Sequence, residues 1–325
     1  MENRVNEDAR SNLGTTSKSR FMAWIQRWWF VPVLLVAPLE LGLHISQTRP
    51  VLKPEDWTAV RSQLEAQVQP SDLVVVSPSW LEPLGRLQLG DGLMTVQRVA
   101  RADESRFPVA IEVSLGSARH PALASWHLEQ EQSWGALQMR RLRNPDPHPV
   151  IDDLVSHATA HQMDVSLVRG EAVQPCEWRH GQPVTGPLGF GPAQPSDRYH
   201  CRNTWVGETI NADLEYKPRR CIHAPPPGGQ EVLRLRWKSV RFGTHLLGHH
   251  ALYVEAERDR KGPAVRIVFS SDDETLGEAI HEDGQGWSSF AFDTTSRAGK
   301  TAELQAEISS TRADRRTYCF EVTTR

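Results

Sequence analysis

The pattern of hydrophobic and polar positions is most regular in the last third of the chain. Leu233, Leu235 and Trp237 alternate with Arg234 and Arg236, and Ala302, Leu304, Ala306 and Ile308 alternate with Glu303, Gln305 and Glu307. A period of two puts the apolar set on one face of a strand and the charged set on the other. Strand-like runs recur along this region: EVLRLRWKSV, HALYVEAE, AVRIVFSS, GEAIHEDG, GWSSFAFDT, TAELQAEIS and TYCFEVTT. Turn-rich pieces (RKGP, SDDE, DGQG, SRAGK, RADR) separate them. One-sided strands punctuated in this way predict an antiparallel β-sandwich, jelly-roll-like in its connections. MDVSLVRG and WVGETINADLEY add strands, so the sandwich domain is expected over 163–325, with a long Pro- and Gly-rich loop over 170–203.

Upstream the period changes. PEDWTAVRSQLEAQV carries Trp57, Val60, Leu64 and Val68 at spacings of three and four, which predicts an amphipathic helix starting near Pro54. PSDLVVVSPSW is a turn followed by a continuous apolar run, the pattern of a strand buried on both faces. FPVAIEVSL and WGALQMRRL supply two further strands, and PVIDDLVSHATAHQ reads as a helix leading out of the region. Residues 55–162 are therefore expected to form a small α/β domain, and the whole chain is α+β.

The N-terminal stretch RWWFVPVLLVAPLELGLHI is apolar without being long. Its uncharged run from Trp28 to Leu39 is short for a span and reaches spanning length only if continued through Glu40 and His44 to Ile45. Trp24, Trp28 and Trp29 sit where an interfacial aromatic belt would lie. Residues 1–27 hold five basic residues (Arg4, Arg10, Lys18, Arg20, Arg27), against Arg49 and Lys53 just after the stretch. That bias puts the N-terminus inside. The resulting expectation is a disordered cytoplasmic tail over 1–20, a transmembrane anchor over 21–45 and a tether over 46–54. The protein would be single-pass in the inner membrane, with its bulk periplasmic or extracellular. A cleaved signal peptide and a buried soluble helix are the competing readings. VAPLE and LHISQ make poor cleavage sites, and Glu40 weighs against a span.

Composition narrows the function classes. Lys and Arg number 37 against 40 Asp and Glu, a net charge of -3, which argues against a dedicated nucleic-acid binder. In an external protein, four cysteines suggest two disulfides. Of the three pairings, Cys176–Cys201 would staple the long loop and Cys221–Cys319 would tie the sandwich entry to its last strand. Four buried thiols in a cytosolic protein are the alternative. There is no CxxC pair, so a four-cysteine zinc site is not expected.

No motif declares a reaction. His157 and His161 are spaced to share a helix face, but Ala158 stands where the metalloprotease pattern needs glutamate. His249 and His250 are neighbours on a strand and point apart. SPSWLEPLG is not a nucleophile elbow, and no phosphate-binding glycine loop is present. No cofactor or metal is expected. Asp91, Glu104, Asp152 and Asp153 are acidic groups that could pair at the domain junction. The best binding candidate is HEDGQGWSSFAFDTT. There Trp287 at a sandwich rim could stack on a sugar face, with Asp283, His281, Tyr253 and His250 meeting hydroxyls. The competing reading makes Trp287 a core residue beside Phe290 or Phe292.

GWSSFAFDTTSRAG, TAELQAEISS and RRTYCFEVTTR together resemble the galactose-binding-like jelly rolls of bacterial envelope and carbohydrate-active proteins. That resemblance implies a glycan site in the loops at one end. The external part also resembles membrane-anchored envelope proteins of the myxobacterial type, through DLVVVSPSWLEPLGRLQLGD, DESRFPVAIEVSLGSARHPALASW and LEYKPRRCIHAPP. This second resemblance implies a topology and no activity. The α/β unit is similar in outline to soluble domains that follow the membrane helices of lipid-linked-sugar glycosyltransferases. The leading expectation is a non-catalytic, membrane-anchored envelope protein that binds glycan or another envelope component through its sandwich. The alternatives are an accessory partner of a membrane glycosyltransferase system and a hydrolase using acidic residues at the domain junction.

Overall fold

The computed structural model describes residues 30–47, 52–181 and 196–325. The expected tail over 1–20, the first part of the expected anchor, residues 48–51 of the expected tether and residues 182–195 of the long loop lie outside these residues. The chain divides into two compact units, Met1–Leu52 and Lys53–Arg325.

In the first unit, the described element is a helix over Phe30–Gln47 with Pro38 inside it and Leu34, Leu35, Leu39 and Leu41 exposed. At about 1.5 Å per residue its 18 described residues reach roughly 27 Å. Glu40 and His44 interrupt its apolar surface. Among the described residues, no helix is long and apolar enough to cross a membrane.

The second unit is α+β and built on three sheets. The first has the strand order β1 (Leu73–Ser77), β2 (Val109–Leu115), β4 (Leu137–Arg143), β3 (His127–Trp134). β1 and β2 are parallel, and the other pairs are antiparallel. Every residue of β1 is buried, as its unbroken apolar run requires. The crossover from β1 to β2 carries helices over Glu82–Leu89 and Val96–Val99. Buried Arg98 ties this crossover to the strand entry, donating to the carbonyls of Asp72, Leu93 and Gln69 at 2.7–2.8 Å. The helix over Pro54–Gln67 packs through Trp57, Val60 and Leu64, the stripe its spacing predicts.

The other two sheets form the sandwich. One runs β15 (Glu274–His281), β14 (Val265–Ser271), β17 (Thr301–Ser309), β12 (Val232–Arg241), β6 (Met163–Arg169), β7 (Ala172–Pro175). The other runs β16 (Ser288–Asp293), β13 (His245–Leu252), β18 (Tyr318–Thr324), β11 (Pro218–His223), β10 (Thr204–Ala212), β9 (Arg198–Cys201), β8 (Glu177–Arg179). The short strand β5 (Asp152–Asp153) adds to β18. Leu233, Leu235, Trp237, Leu304, Ala306 and Ile308 are fully buried in the core between these sheets, and their charged alternates are not. Phe269, Tyr318 and Phe320 join them, and the Trp237 indole donates to the Leu154 carbonyl at 3.2 Å.

Cys176 is bonded to Cys201, and Cys221 to Cys319. The first bridge sits where the chain leaves one sheet of the sandwich for the other. The second joins neighbouring strands β11 and β18, which also pair through Ile222 and Phe320.

Two local expectations change, and one strand is unexpected. PVIDDLVSHATAHQ is not a helix: Asp152 and Asp153 pair with Thr324 and Thr323, and Leu154, Val155 and Ala158 enter the sandwich core. The second half of HALYVEAE leaves the sheet as a helix over Val254–Asp259. β3, which the hydropathy pattern does not mark, is polar and largely exposed, because it is the edge of its sheet.

Candidate functional site

The five residues expected at a sandwich rim are not gathered on an open surface. His250 and His281 meet in a buried network. His281 Nε2 lies 2.7 Å from Glu257 Oε1, with both side chains fully buried, and His250 Nδ1 lies 2.8 Å from the Tyr318 hydroxyl. The two imidazoles are 4.8 Å apart, edge to face. Burial, helped by the neighbouring His281, lowers His250 to about 3, so it is neutral. Burial would raise Glu257, but the hydrogen bond from His281 and the N–H groups of Leu252 and Gly284 hold it below the ordinary range. Buried polar groups saturated in this way serve structure.

Asp283 is engaged by Arg316 and by the Gly262 N–H at 2.9 Å. Tyr253 is half-buried at the start of the Val254–Asp259 helix, where its N–H donates to the Thr317 carbonyl at 2.9 Å. Trp287 lies on the outer face of its sheet. Its indole N–H donates to the Ala102 carbonyl at 3.1 Å, its ring is parallel to His249 at 5.7 Å, and the Arg219 guanidinium lies 5.5 Å from the ring. Trp287 is thus half-buried, with its ring and its N–H both engaged by the protein.

A different part of the surface is concave. A cleft of about 570 Å³ opens beyond the carboxyl ends of parallel strands β1 and β2, the edge at which open α/β sheets bind ligands. One wall is the turn after β1, with Ser79, Trp80 and Glu82. A second is the loop after β2, with Arg119 and His120. The third is the β10–β11 turn of the sandwich, with Tyr216, Lys217 and Arg219. Arg101 and Glu104, from the crossover, line its floor.

Local packing explains why each wall stands where it does. The helix over Glu82–Leu89 lies directly on β1 because Gly85 has no side chain; a Cβ there would fall 2.6 Å from Val76 Cγ2. This close seat leaves Trp80 68% exposed at the cleft mouth. The β2 loop is fixed by buried Glu112, whose carboxylate accepts the His120 N–H and a hydrogen bond from buried Arg140 at 3.3 Å. Arg140 also donates to the Ala118 carbonyl at 3.0 Å. Arg219 braces the third wall, reaching Asp213 at 2.9 Å and the Arg101 carbonyl at 2.8 Å.

The cleft is charged and unevenly satisfied. Arg86, Arg101, Arg119, Lys217 and Arg219 line it, with Glu82, Glu104 and Glu215. Arg101 holds Glu104, and Lys217 holds Glu215 at 2.5 Å. Arg119 is half-exposed, and its nearest carboxylate, Glu112 at 3.7 Å, already serves Arg140. Glu82 is raised by burial, which outweighs the pull of Arg101 and Arg86, and no hydrogen bond offsets the rise. His120 is lowered to about 4 by burial and then by Arg101, and its buried Nδ1 has no hydrogen-bond partner. The cleft thus offers a neutral imidazole, a carboxyl raised by burial, an exposed indole and five cationic side chains against three carboxylates. Among the described residues, no group of His, Cys, Asp and Glu side chains could hold a metal ion.

Of these residues, only Glu104 stands out in sequence reasoning, as one acidic group among several. The available signal was SPSWLEPLG placed directly after a doubly buried strand. The contribution of the β10–β11 turn has no local signature.

No family model and no curated protein matches the chain. Similar solved structures include the CBM51-2 in complex with GlcNAc and INT domains from Clostridium perfringens ZmpB. There the TM-score is 0.31 and identity 7%, over 64% of this chain and 43% of that one. Another is the enzymatically active domain of bacteriophage CBA120 tailspike protein 4, with TM-score 0.23 and 10% identity, over 51% and 19%. A third is the Spr0440 glycoside hydrolase domain, Endo-D from Streptococcus pneumoniae R6, with TM-score 0.22 and 17% identity, over 44% and 25%. The chain spans less than half the length of each.

Proposed function

We propose that Lys53–Arg325 is a saccharide-binding module whose site is the cleft beyond β1 and β2, and that its ligand carries an acidic group. The observation that carries this reading is Trp80, exposed at the mouth of a cleft that also offers cations and a carboxyl. An indole face accepts the C–H face of a pyranose, while polar side chains around it fix the hydroxyls. Arg119 and Lys217 supply charge for an acidic substituent. The two disulfides support a reading in which this unit works in an oxidising compartment outside the cytoplasm.

Titration of the full chain against an array of neutral and acidic oligosaccharides tests this. Binding is expected for acidic members, weakened at least tenfold by Trp80→Ala and weakened by added salt. An array on which the wild type binds nothing would retire the reading.

Glu82 favours a second reading, in which the cleft hydrolyses what it binds. A carboxyl raised by burial is suited to act as general acid at a glycosidic oxygen. Release of reducing ends that Glu82→Gln abolishes, with binding retained, would support it. No release from any bound ligand would remove it.

A further inference from the structure

The helix that forms one wall of the cleft has an outer face unlike that of a surface helix. Its inner side, Leu81, Gly85 and Leu89, is buried against β1 and its surroundings. A helix seated in this way is expected to turn polar residues outward. Instead Leu84 and Leu87, three apart on the helix, are exposed, as are Pro83 and Trp80, the latter in the 3-10 turn Ser79–Leu81 that runs into the helix four residues before Leu84. Trp80 is 68% exposed, Leu84 38% and Leu87 78%. Side chains at this spacing stack along a helix, so they form a stripe roughly 10 Å long. Single exposed leucines are ordinary, but a continuous apolar stripe marks a contact surface.

The stripe is continuous with the cleft. Trp80 and Pro83 belong to both, and Arg86 lines the cleft from the same helix. A ligand whose head occupies the charged cleft would therefore leave it directly over Trp80 and run onto Leu84 and Leu87.

We propose that the ligand is an amphiphile: an acidic saccharide head seated in the cleft, joined to an apolar chain laid along Trp80, Leu84 and Leu87. The proposal rests on the saccharide reading above and adds the chain. The head meets Arg119 and Lys217, which are half-exposed at the cleft, while the chain removes the leucines from water. Neither part of the surface accounts for the other: a plain sugar leaves the stripe bare, and a plain lipid leaves the polar cleft unfilled.

Methyl glucuronide and octyl glucuronide, the latter below its micelle concentration, are the probes. Isothermal titration of the full chain is expected to give at least tenfold tighter binding for the octyl compound. In the Leu84→Ser/Leu87→Ser variant, that gain should fall below twofold while methyl glucuronide binds as in the wild type. Leu87 is largely exposed and Leu84 partly so, so the variant is expected to be modestly less stable and remain folded, with a cooperative urea transition as the check. Equal affinity for the two probes, or an undiminished gain in the variant, would overturn the proposal while leaving the saccharide reading intact. Binding of neither probe would also overturn it, and the oligosaccharide array then decides the saccharide reading by itself. A monomer–dimer equilibrium that the variant abolishes, with no effect of the octyl chain, would assign the stripe to a second copy and likewise overturn the proposal.

Discussion

Gly85→Ala measures how closely the cleft helix is seated. In an open helix this change stabilises by about 1 kcal/mol, because alanine loses less backbone entropy than glycine. Here the new Cβ would lie 2.6, 3.1 and 3.3 Å from Val76 Cγ2, Cγ1 and Cβ, against about 3.5–4.0 Å for unstrained carbon contacts. Val76 cannot easily yield. It is 1% exposed in a wholly buried strand, and its β-branched side chain has few rotamers. Overpacking of this kind costs about 1–3 kcal/mol, so the substitution should destabilise by about 1 kcal/mol net. Urea unfolding under non-reducing conditions reads this directly. Val76→Ala alone should cost about 2 kcal/mol as a core truncation, and the double variant should be at least 1 kcal/mol more stable than the sum of the singles predicts. Because Trp80 and Glu82 ride on this helix, saccharide affinity should fall in Gly85→Ala and recover in the double variant. A stabilised Gly85→Ala, or strictly additive energies, would refute the close seating of the helix on β1.

Other outcomes follow from the same packing. Trp287→Ala should lower stability by about 1–2 kcal/mol, as truncation of a half-buried indole does, and leave saccharide affinity unchanged; unchanged stability with lost binding would return the site to the sandwich rim. Arg316→Met should cost about 3–5 kcal/mol, because it strands Asp283 in a site where the partners' side chains are 1% and 5% exposed. Adding Asp283→Asn should recover part of that loss, and a surface-like cost for the single change would contradict the burial. Acid should destabilise the protein well before its carboxylates protonate. His250 is lowered to about 3 and His223 to about 4, chiefly by burial, so the unfolded chain binds protons first. Their stabilisation is complete above about pH 6.5 and is lost as pH falls towards 4, at up to about 1.4 kcal/mol per pH unit for each histidine. A urea midpoint that stays flat from pH 6.5 to 4 would contradict the buried, neutral state of both rings.

The fold was most legible where one face of an element meets the core and the other meets water. Trp237 with Arg236, and Leu304 with Glu303, carry the two sides of a sheet in adjacent residues, and an unbroken LVVV announces burial on both faces. β3 was not legible because its polar residues lie at a sheet edge, where burial imposes no pattern. The 151–162 segment misled because Leu154, Val155 and Ala158 fit a helical spacing, while what holds them is pairing with β18 far along the chain. Trp287 shows the same limit. Its alternation with Ser289 and Ala291 could indicate the outer face, but nothing nearby in sequence records that Ala102 and Arg219 engage it there.

Sequence alone determined the α+β class, the strand-rich last third, the helix after Pro54 and the presence of four cysteines able to bridge, because each depends on local periodicity or on residue chemistry. Tertiary structure alone decided that His250 and His281 share a buried network, that Trp287 is engaged by Ala102, His249 and Arg219, and that Trp80, Glu82, His120 and Lys217 surround one cleft. Those outcomes depend on which distant segments pack together, and a cleft assembled from the turn after β1, the loop after β2 and the β10–β11 turn exists only once all three are held in place.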